Sequence, residues 1–450
     1  MVPSLAIVST PPRLRRDRWR VGTIGIWGGK MEYGDHHCRH CGTALEICVA
    51  DLGLMPIAND LIDRSLPSQE APKAPLVAMV CGECRLVQTI DYKAANDIFR
   101  DDYVYFSSES ISWLEHARKY VGEMAQRFGL DGDSRHIEIA SNDGYLLQYS
   151  QSLGIPTLGV EPCASVATVA RDKGIDTRQA FFSQALAGQL VAEGWHADLV
   201  TANNVFAHVP DVNDFAAGIR TLLMPNGVAT VEVQHLLRLM QRNQFDTIYH
   251  EHFSYYSLLS AKRVFEAAGL RVFDVDELPT HGGSVRFYLC RDDSSVQTLP
   301  SVARVLAEEI AYGLDRDEVY VGFSKQISQL KQDLVELLDR LKQDGKKILG
   351  YGAPAKGVIL LNYCGISTGI IDFTVDKAPS KQNKILPGVG IPILHPKMLE
   401  SEEPDYILVL AWNIADEIIA QIRAAFPYQG AFIIPMPKPH IIQGVVSVAA

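Results

Sequence analysis

The chain has 450 residues, 47% hydrophobic and 21% charged, and its 53 acidic against 42 basic side chains leave a formal net charge of −11. This length exceeds what one hydrophobic core usually serves, so a globular chain of several domains is expected. An acidic chain lacks the basic surface that displaces counterions from nucleic acid or anionic lipid, and no run of about 18 apolar residues offers a membrane span, so the expectation is a cytoplasmic protein with neither a nucleic acid nor a membrane as partner.

Residues 1–34 read as a leader, expected to be disordered, or as sequence upstream of a start at Met31. Arg13, Arg15, Arg16, Arg18 and Arg20 supply the charge of a presequence, but no apolar core or small-residue cleavage site follows them. The next segment, 35–100, is expected to be a zinc-binding module. Cys38 and Cys41 form one C-x-x-C pair and Cys81 and Cys84 a second, two of each needed to close a tetrahedral site of four thiolates. His36, His37 and His40 crowd the first pair, yet four cysteines already fill the coordination sphere, which makes the zinc structural.

Over 101–292 strand-like and helix-like runs alternate: HIEIA, a helix after Asp143, TLGVE, a helix from Ala164, ADLVTAN, then GVATVEVQ. Such alternation predicts a doubly wound α/β sheet with ligands beyond the carboxyl ends of its strands. The first strand runs into a polar turn, Ser141-Asn142-Asp143-Gly144, and the second ends at Glu161, where a carboxylate can accept from a ribose diol. The glycine-rich pyrophosphate loop of a dinucleotide site is missing, so S-adenosylmethionine, which has a ribose and no phosphate, fits better than NAD. After the last parallel strand, Tyr249-His250-Glu251-His252-Phe253-Ser254-Tyr255-Tyr256 crowds acid–base and hydrogen-bonding groups into one loop. Two histidines and a carboxylate are costly to bury unless paired, and together they read as a reaction site.

A helical connector is expected over 293–345 and a second, Rossmann-like α/β domain over 346–450. The latter opens with KKILGYGAPAKG and continues with the strands IIDFTVD and DYILVLA. Gly350, Gly352 and Gly357 let backbone approach a ligand, Lys356 stands near a helix start and Asp376 ends the next strand.

Taken in order, EIASNDGYLL, GVEP, TANNVFAHVPD, YHEHFSYYS and GYGAPAKG resemble the sugar C-methyltransferases that act on nucleotide-linked 4-keto-deoxysugars on the way to branched sugars such as mycarose and tetronitrose. The likeness runs from about Cys38 to about Pro437. It implies an S-adenosylmethionine-dependent C-methyltransferase, by default at the third sugar carbon, with a nucleotide-sugar as its small-molecule partner. It further implies that Ser141, Asn142 and Gly144 line the methionine part of the cofactor, that Glu161 meets the ribose, and that Asn203 and Asn204 face the sulfonium, with Ala180 and Phe181 as weaker candidates for an adenine wall. His252 is implied as the base, flanked by Tyr249 and Glu251, while His208 would steady an enolate oxygen. Only the resemblance ranks His252 above His250. Tyr103, Tyr105, Ser107 and Ser108 match the family segment that closes over the sugar nucleotide. Gly352, Lys356 and Asp376 would help to bind it from the C-terminal domain. Two other readings stay open at this point, a methyltransferase of the same architecture with a non-sugar acceptor and a zinc-containing NAD-linked oxidoreductase using GYGAPAKG. The chain is expected to be a monomer or a homodimer.

Overall fold

The computed structural model describes residues 36–65, 71–92, 106–109 and 111–444, so the leader and the expected substrate contacts Tyr103 and Tyr105 lie outside the described residues. The zinc module contributes β1 (Ile47–Pro56), β2 (Ile62–Asp63), β3 (Lys73–Val80) and β4 (Val87–Thr89). β1 and β3 pair antiparallel with irregular register between Cys48 and Ala50 and again between Asp51 and Leu54, and β4 extends the ladder from β3. The fourth strand of this sheet comes from far along the chain: Ser254 and Tyr255 pair with Gln88 and Val87. The loop singled out as the reaction site is therefore part of the zinc module's sheet.

The central domain contains β5 (His136–Ile139), β6 (Thr157–Val160), β7 (Thr177–Arg178), β8 (Ala197–Asn203), β9 (Leu223–Gln234), β10 (Ser254–Tyr255), β11 (Leu270–Leu278) and β12 (Ser284–Arg291). Its seven-stranded sheet has the order β11-β12-β9-β8-β5-β6-β7, parallel from β7 to β9 and closed by the antiparallel pair β12 and β11. β5 and β6 are buried along their whole length because helices cover both faces, as a parallel sheet requires. Those helices are α1 (Ile111–Phe128), α2 (Leu147–Ser152), α3 (Ala164–Asp172), α4 (Gln184–Ala192), α5 (Val212–Leu222), α6 (Leu236–Gln241) and α7 (Leu258–Ala267). Side-chain caps fix several starts: Ser183 accepts from Leu186 N, Asp211 from Asp214 N, and Ser257 forms a capping box with Ser260. The polar His136 in β5 is satisfied on both ring nitrogens, by Ser150 Oγ at 2.7 Å and Thr201 Oγ1 at 2.8 Å.

The connector is two helices, α8 (Pro300–Tyr312), stopped by Gly313 at φ 106°, and α9 (Asp317–Gln343). Along α9, Tyr320, Phe323, Ile327, Leu330, Leu334, Leu338 and Leu341 recur at helical spacing and make one buried stripe. That stripe belongs to a core containing Leu76 and Val80 of the zinc module, Leu236 and Ile248 before the reaction loop, and Ile348, Val358 and Phe432 of the C-terminal domain. The last sheet takes β13 (Ile348–Tyr351), β14 (Thr374–Val375), β16 (Ile393–Leu394), β17 (Tyr406–Val409), β18 (Ala431–Ile434) and β19 (His440–Ile442) in the order β16-β14-β13-β17-β18-β19, parallel except for β19. Around it lie α10 (Ala355–Cys364), α11 (Met398–Glu402) and α12 (Ala415–Ala425), while β15 (Lys384–Ile385) pairs with β2 of the zinc module. Among the described residues no helix is long and apolar enough to cross a membrane.

Candidate active site

Around the first knuckle, Gly42 N bonds Cys38 O at 2.9 Å with Gly42 at φ 75°, and around the second Arg85 N bonds Cys81 O at 3.1 Å. These turns bring the sulfurs of Cys38, Cys41, Cys81 and Cys84 within 4.8 Å of one another. Zinc–thiolate bonds of about 2.3 Å in a tetrahedron place sulfurs about 3.8 Å apart, so the four residues fit a closed zinc site that holds the fold and leaves no open position.

At the carboxyl ends of β5 and β6 the chain adopts backbone that side chains ordinarily avoid. Ala140 has φ 58°, Asn142 φ 50° and Gly144 φ 76°. Left-handed non-glycine residues cost on the order of 1–3 kcal/mol each and persist where their surroundings fix them. Here Ala140 N and Ser141 N both reach Val160 O, at 2.7 and 3.2 Å. Asn142 N donates to Glu161 Oε2 at 3.0 Å, and Cys163 N to Oε1 at 2.9 Å. Gly159 makes room for the turn, since a Cβ there would lie 2.3 Å from Ser141 Oγ. Gly144 is needed twice, for its φ and because a Cβ would meet Ile175 at 2.9 Å.

Around this turn Glu138 Oε2, Ser141 Oγ, Asp143 Oδ1, Asn203 Oδ1 and Asn204 Nδ2 are buried without a hydrogen-bond partner among the described residues. Buried polar atoms are ordinarily satisfied, and a cluster of orphans at the ends of parallel strands marks the place of a polar ligand. The amino and carboxylate groups of S-adenosylmethionine offer both donors and acceptors, and Glu161 keeps lone pairs for a ribose diol. The residues present fit the cofactor. Ser107 and Ser108 lie against this turn as well: Ser107 N donates to Asn142 Oδ1 at 2.9 Å, and Ser108 Oγ donates to Asp143, whose carboxylate also pairs with Lys173 at 3.0 Å. Phe181 is exposed, and Asn204, at φ 54°, hangs from Glu232 O at 2.7 Å.

The reaction loop brings His208, Tyr249, Glu251 and His252 together. His252 N bonds Tyr249 O at 2.9 Å, a turn that breaks strand alternation and sends the neighbouring histidines different ways. His250 Nε2 turns to Pro75 O at 3.2 Å, in the zinc module. His252 Nδ1 lies 3.0 Å from Thr247 O; because a carbonyl only accepts, that nitrogen carries the proton and Nε2 presents its lone pair, filled by Tyr249 OH at 2.8 Å. By the same reasoning His208 donates from Nδ1 to Glu251 O at 2.7 Å. The two imidazoles stand 4.7 Å apart, centre to centre. Burial holds His208 down to about 4 and His252 well below its ordinary range, so both are neutral at pH 7. Burial instead pushes Glu251 up to about 7; the two bonds from Asn59 Nδ2, each 3.0 Å, oppose that shift and the neighbouring Asp60 adds to it.

Lys356, in the first turn of α10, reaches this loop from the C-terminal domain. Its ammonium bonds Asn413 Oδ1 at 3.0 Å and lies 4.7 Å above the Trp412 ring. Trp412 Nε1 donates in turn to Asp246 Oδ2 at 2.7 Å, one residue before the carbonyl that orients His252. Burial raises Asp246 to about 7 and lowers Lys356, and the lysine charge helps hold His252 and His281 neutral. Gly352, at φ 94°, and Asp376 remain in the C-terminal turn, where Asp376 accepts from Ala353 N at 2.7 Å and Ala378 N at 2.9 Å.

Asn59, Asp246, His281 and Trp412 were not expected from the sequence. Trp412 follows a parallel strand, the position at which such sheets meet ligands, and was detectable on that ground. Asn59 lies in the segment between the knuckles and carries no local signal of a role 192 positions away.

Three family models match in succession: a zinc binding domain over 38–99, a methyltransferase domain over 113–275 and a C-methyltransferase C-terminal domain over 279–437. C-methyltransferase NovU from Streptomyces niveus is 37% identical over 405 residues, 90% of this chain and 96% of that protein. Among solved structures, the PH0226 protein from Pyrococcus horikoshii OT3 is similar at 12% identity over 42% of this chain and 94% of its own, with a TM-score of 0.34. An S-adenosylmethionine-dependent methyltransferase from Clostridium acetobutylicum ATCC 824 is similar at 12% identity over 40% and 92%, with a TM-score of 0.32. Relatedness to NovU along nearly the whole chain, with the methyltransferase and zinc domains in order, sets aside the NAD-linked oxidoreductase, and the chain belongs to the S-adenosylmethionine-dependent, zinc-binding C-methyltransferases.

Proposed function

We propose that this C-methyltransferase acts on a nucleotide-linked 4-keto-deoxysugar and methylates the carbon beside the ketone, by default the third sugar carbon. The observation that carries this reading is the convergence of His208, Tyr249, Glu251 and His252 with Lys356 of the Rossmann-like domain. An acceptor bound there meets acid–base groups on one side and a nucleotide-type domain on the other. When bound, the cofactor supplies an electrophilic methyl group. His252 removes the proton on the carbon next to the carbonyl, receiving it at Nε2, and the C–H electron pair becomes an enolate. Tyr249, which fills that lone pair in the free protein, either yields the place to the substrate or relays the proton. His208 steadies the enolate oxygen when Nε2 also carries a proton, since its Nδ1 proton is given to Glu251 O; a preorganised contact of that kind is worth about 3–4 kcal/mol in known sites. Glu251 orients the sugar by accepting from a hydroxyl. The enolate carbon is the nucleophile to which the bound cofactor would supply its methyl group.

Ser141, Asn142 and Gly144 bind the methionine portion, Glu161 the ribose, and Asn203 and Asn204 the region of the sulfonium. Tyr103, Tyr105, Ser107 and Ser108 close over the nucleotide-sugar from before α1, while Gly352, Lys356 and Asp376 serve it from the C-terminal domain. The test is incubation with methyl-labelled S-adenosylmethionine and a panel of nucleotide 4-keto-sugars, with mass spectrometry locating the label. Label on the carbon beside the ketone supports the reading; label on oxygen, or on none of the panel, rejects it.

A further inference from the structure

The segment between the zinc knuckles does more than join them. Just past β1 it makes a tight turn, with Asp60 N on Ile57 O at 3.2 Å and Leu61 N on Asn59 O at 2.9 Å, and there presents the Asn59 amide to both carboxylate oxygens of Glu251. Asn59 keeps an exposed face while Glu251 is only 6% exposed, so the amide stands at the rim of the site and the carboxylate in its wall. Beyond the turn, β2 is anchored on β15 of the C-terminal domain, and Arg64 N bonds Asn383 O at 3.3 Å.

The other end of the reaction loop is held by the strand after the second knuckle. Thr89 Oγ1 donates to His252 O at 2.9 Å and Thr89 N to Phe253 O at 3.1 Å. Gln88 pairs with Ser254 across the β4–β10 ladder, accepts from Arg39 N at 3.0 Å and donates to Cys38 Sγ at 3.3 Å. One glutamine thus touches both a zinc thiolate and the strand two residues from His252. The Arg39 guanidinium, between the first two cysteines, lies over Phe253 at 5.2 Å and bonds Thr89 O at 2.8 Å.

Building on the reading of 249–252 as the reaction loop, we propose that Asn59 is a positioning residue of the active site, which holds the Glu251 carboxylate in its working orientation, and that through Gln88 and Thr89 of β4 the zinc centre sets the geometry of the loop. The charged and titratable groups that face Glu251 are Asp60 beside Asn59, Tyr255 on β10 and the His208 ring on its carbonyl. Among these contacts Asn59 supplies the donor to the carboxylate, so its loss destabilises the charged form.

The experiment uses the zinc-loaded full chain with side-chain carboxyl carbons of glutamate labelled for NMR, the Glu251 signal being the one lost in Glu251→Gln. Asn59→Ala is expected to keep its zinc and its affinity for S-adenosylmethionine within about twofold, and to move the Glu251 titration upward by about one pH unit, a tenfold change in protonation. It should lower kcat/KM on the keto-sugar about tenfold, and add less than about twofold when combined with Glu251→Gln. Removing zinc with a chelator should shift the same signal before cofactor affinity changes. An unmoved Glu251 titration in Asn59→Ala, or effects that multiply in the double variant, overturns the role of Asn59; a titration indifferent to zinc removal overturns the link to the metal. Because the titration is read without any acceptor, failure to methylate every keto-sugar unseats the substrate reading and leaves this result standing.

Discussion

Glu251 and Glu161 are both buried carboxylates, and their surroundings give them different work. Glu161 accepts two backbone N–H bonds at 3.0 and 2.9 Å, which fix the left-handed turn before it, and the proposed ribose contact would use its remaining lone pairs. Replacing it by alanine removes the turn's anchor together with a charge-assisted acceptor, each bond to a charged group being worth about 1.5–3 kcal/mol. Glu161→Ala should weaken S-adenosylmethionine binding by calorimetry at least about tenfold, and an unchanged affinity in a folded variant refutes the ribose role. Glu251 is pushed up to about 7, so it gains its proton as pH falls through neutrality, whereas His252, held well below its usual range, stays neutral there. If the working form of Glu251 is the carboxylate, kcat/KM rises with pH through about 7 to a plateau, and the rise disappears in Glu251→Gln. A limb that survives that substitution belongs to another group. At this scale the sequence showed the crowding of the reaction loop and the acid ending the second strand, since both are local patterns. It did not show Asn59 or Asp246, whose contacts lie 192 and 166 positions away, with Glu251 and Trp412 respectively.

The elements that place these residues depend on close approaches between neighbouring strands and turns. Gly159, in the middle of β6, allows Ser141 to fold over it; a Cβ at 2.3 Å from Ser141 Oγ and 2.9 Å from its Cβ leaves no room without moving the turn. Gly159→Ala should therefore lower cofactor affinity more than about tenfold and lower the melting temperature, while secondary structure by circular dichroism stays intact. An alanine variant that binds normally would show that the turn can shift at little cost. The strands of the parallel part of the sheet were legible because buried β-runs alternate with helices; ADLVTAN coincides with β8. The antiparallel β11–β12 closure was not read, although the five residues Pro279–Gly283 with Gly282-Gly283 mark its turn, because β12 is buried along nearly its whole length and does not alternate. In the C-terminal domain the run IIDFTVD predicted a strand, and only Thr374 and Val375 join the ladder, since the chain before them is in bends and turns.

At the scale of the molecule, the zinc module, the connector and the C-terminal sheet share one interior, while the central sheet packs a second cluster around Tyr120, Leu146 and Tyr288. A core that joins Val80 after the zinc loop, the α9 stripe and the C-terminal sheet means that none of the three is shielded from the others. Composition and motif order indicated several units, but pattern within each unit says nothing about which faces meet, so the shared core was not foreseeable. Because the binding free energy of a structural zinc is also folding free energy, chelation or Cys84→Ser should lower the unfolding midpoint of the zinc module, the connector and the C-terminal sheet in one transition. Separate melting of an N-terminal piece, with the remainder unchanged, would contradict the shared core. The central claim, that His252 generates an enolate before methyl transfer, is tested most directly by hydrogen exchange: the keto-sugar nucleotide is held with a cofactor analogue lacking the methyl group in deuterated solvent, and loss of the proton beside the ketone is followed by NMR. Wild-type protein should exchange that proton, and His252→Ala and His252→Asn should lose the exchange along with about 10²–10⁴ of turnover while still binding both ligands. Exchange at the wild-type rate in either variant would contradict the account and move the base to Tyr249 or His250.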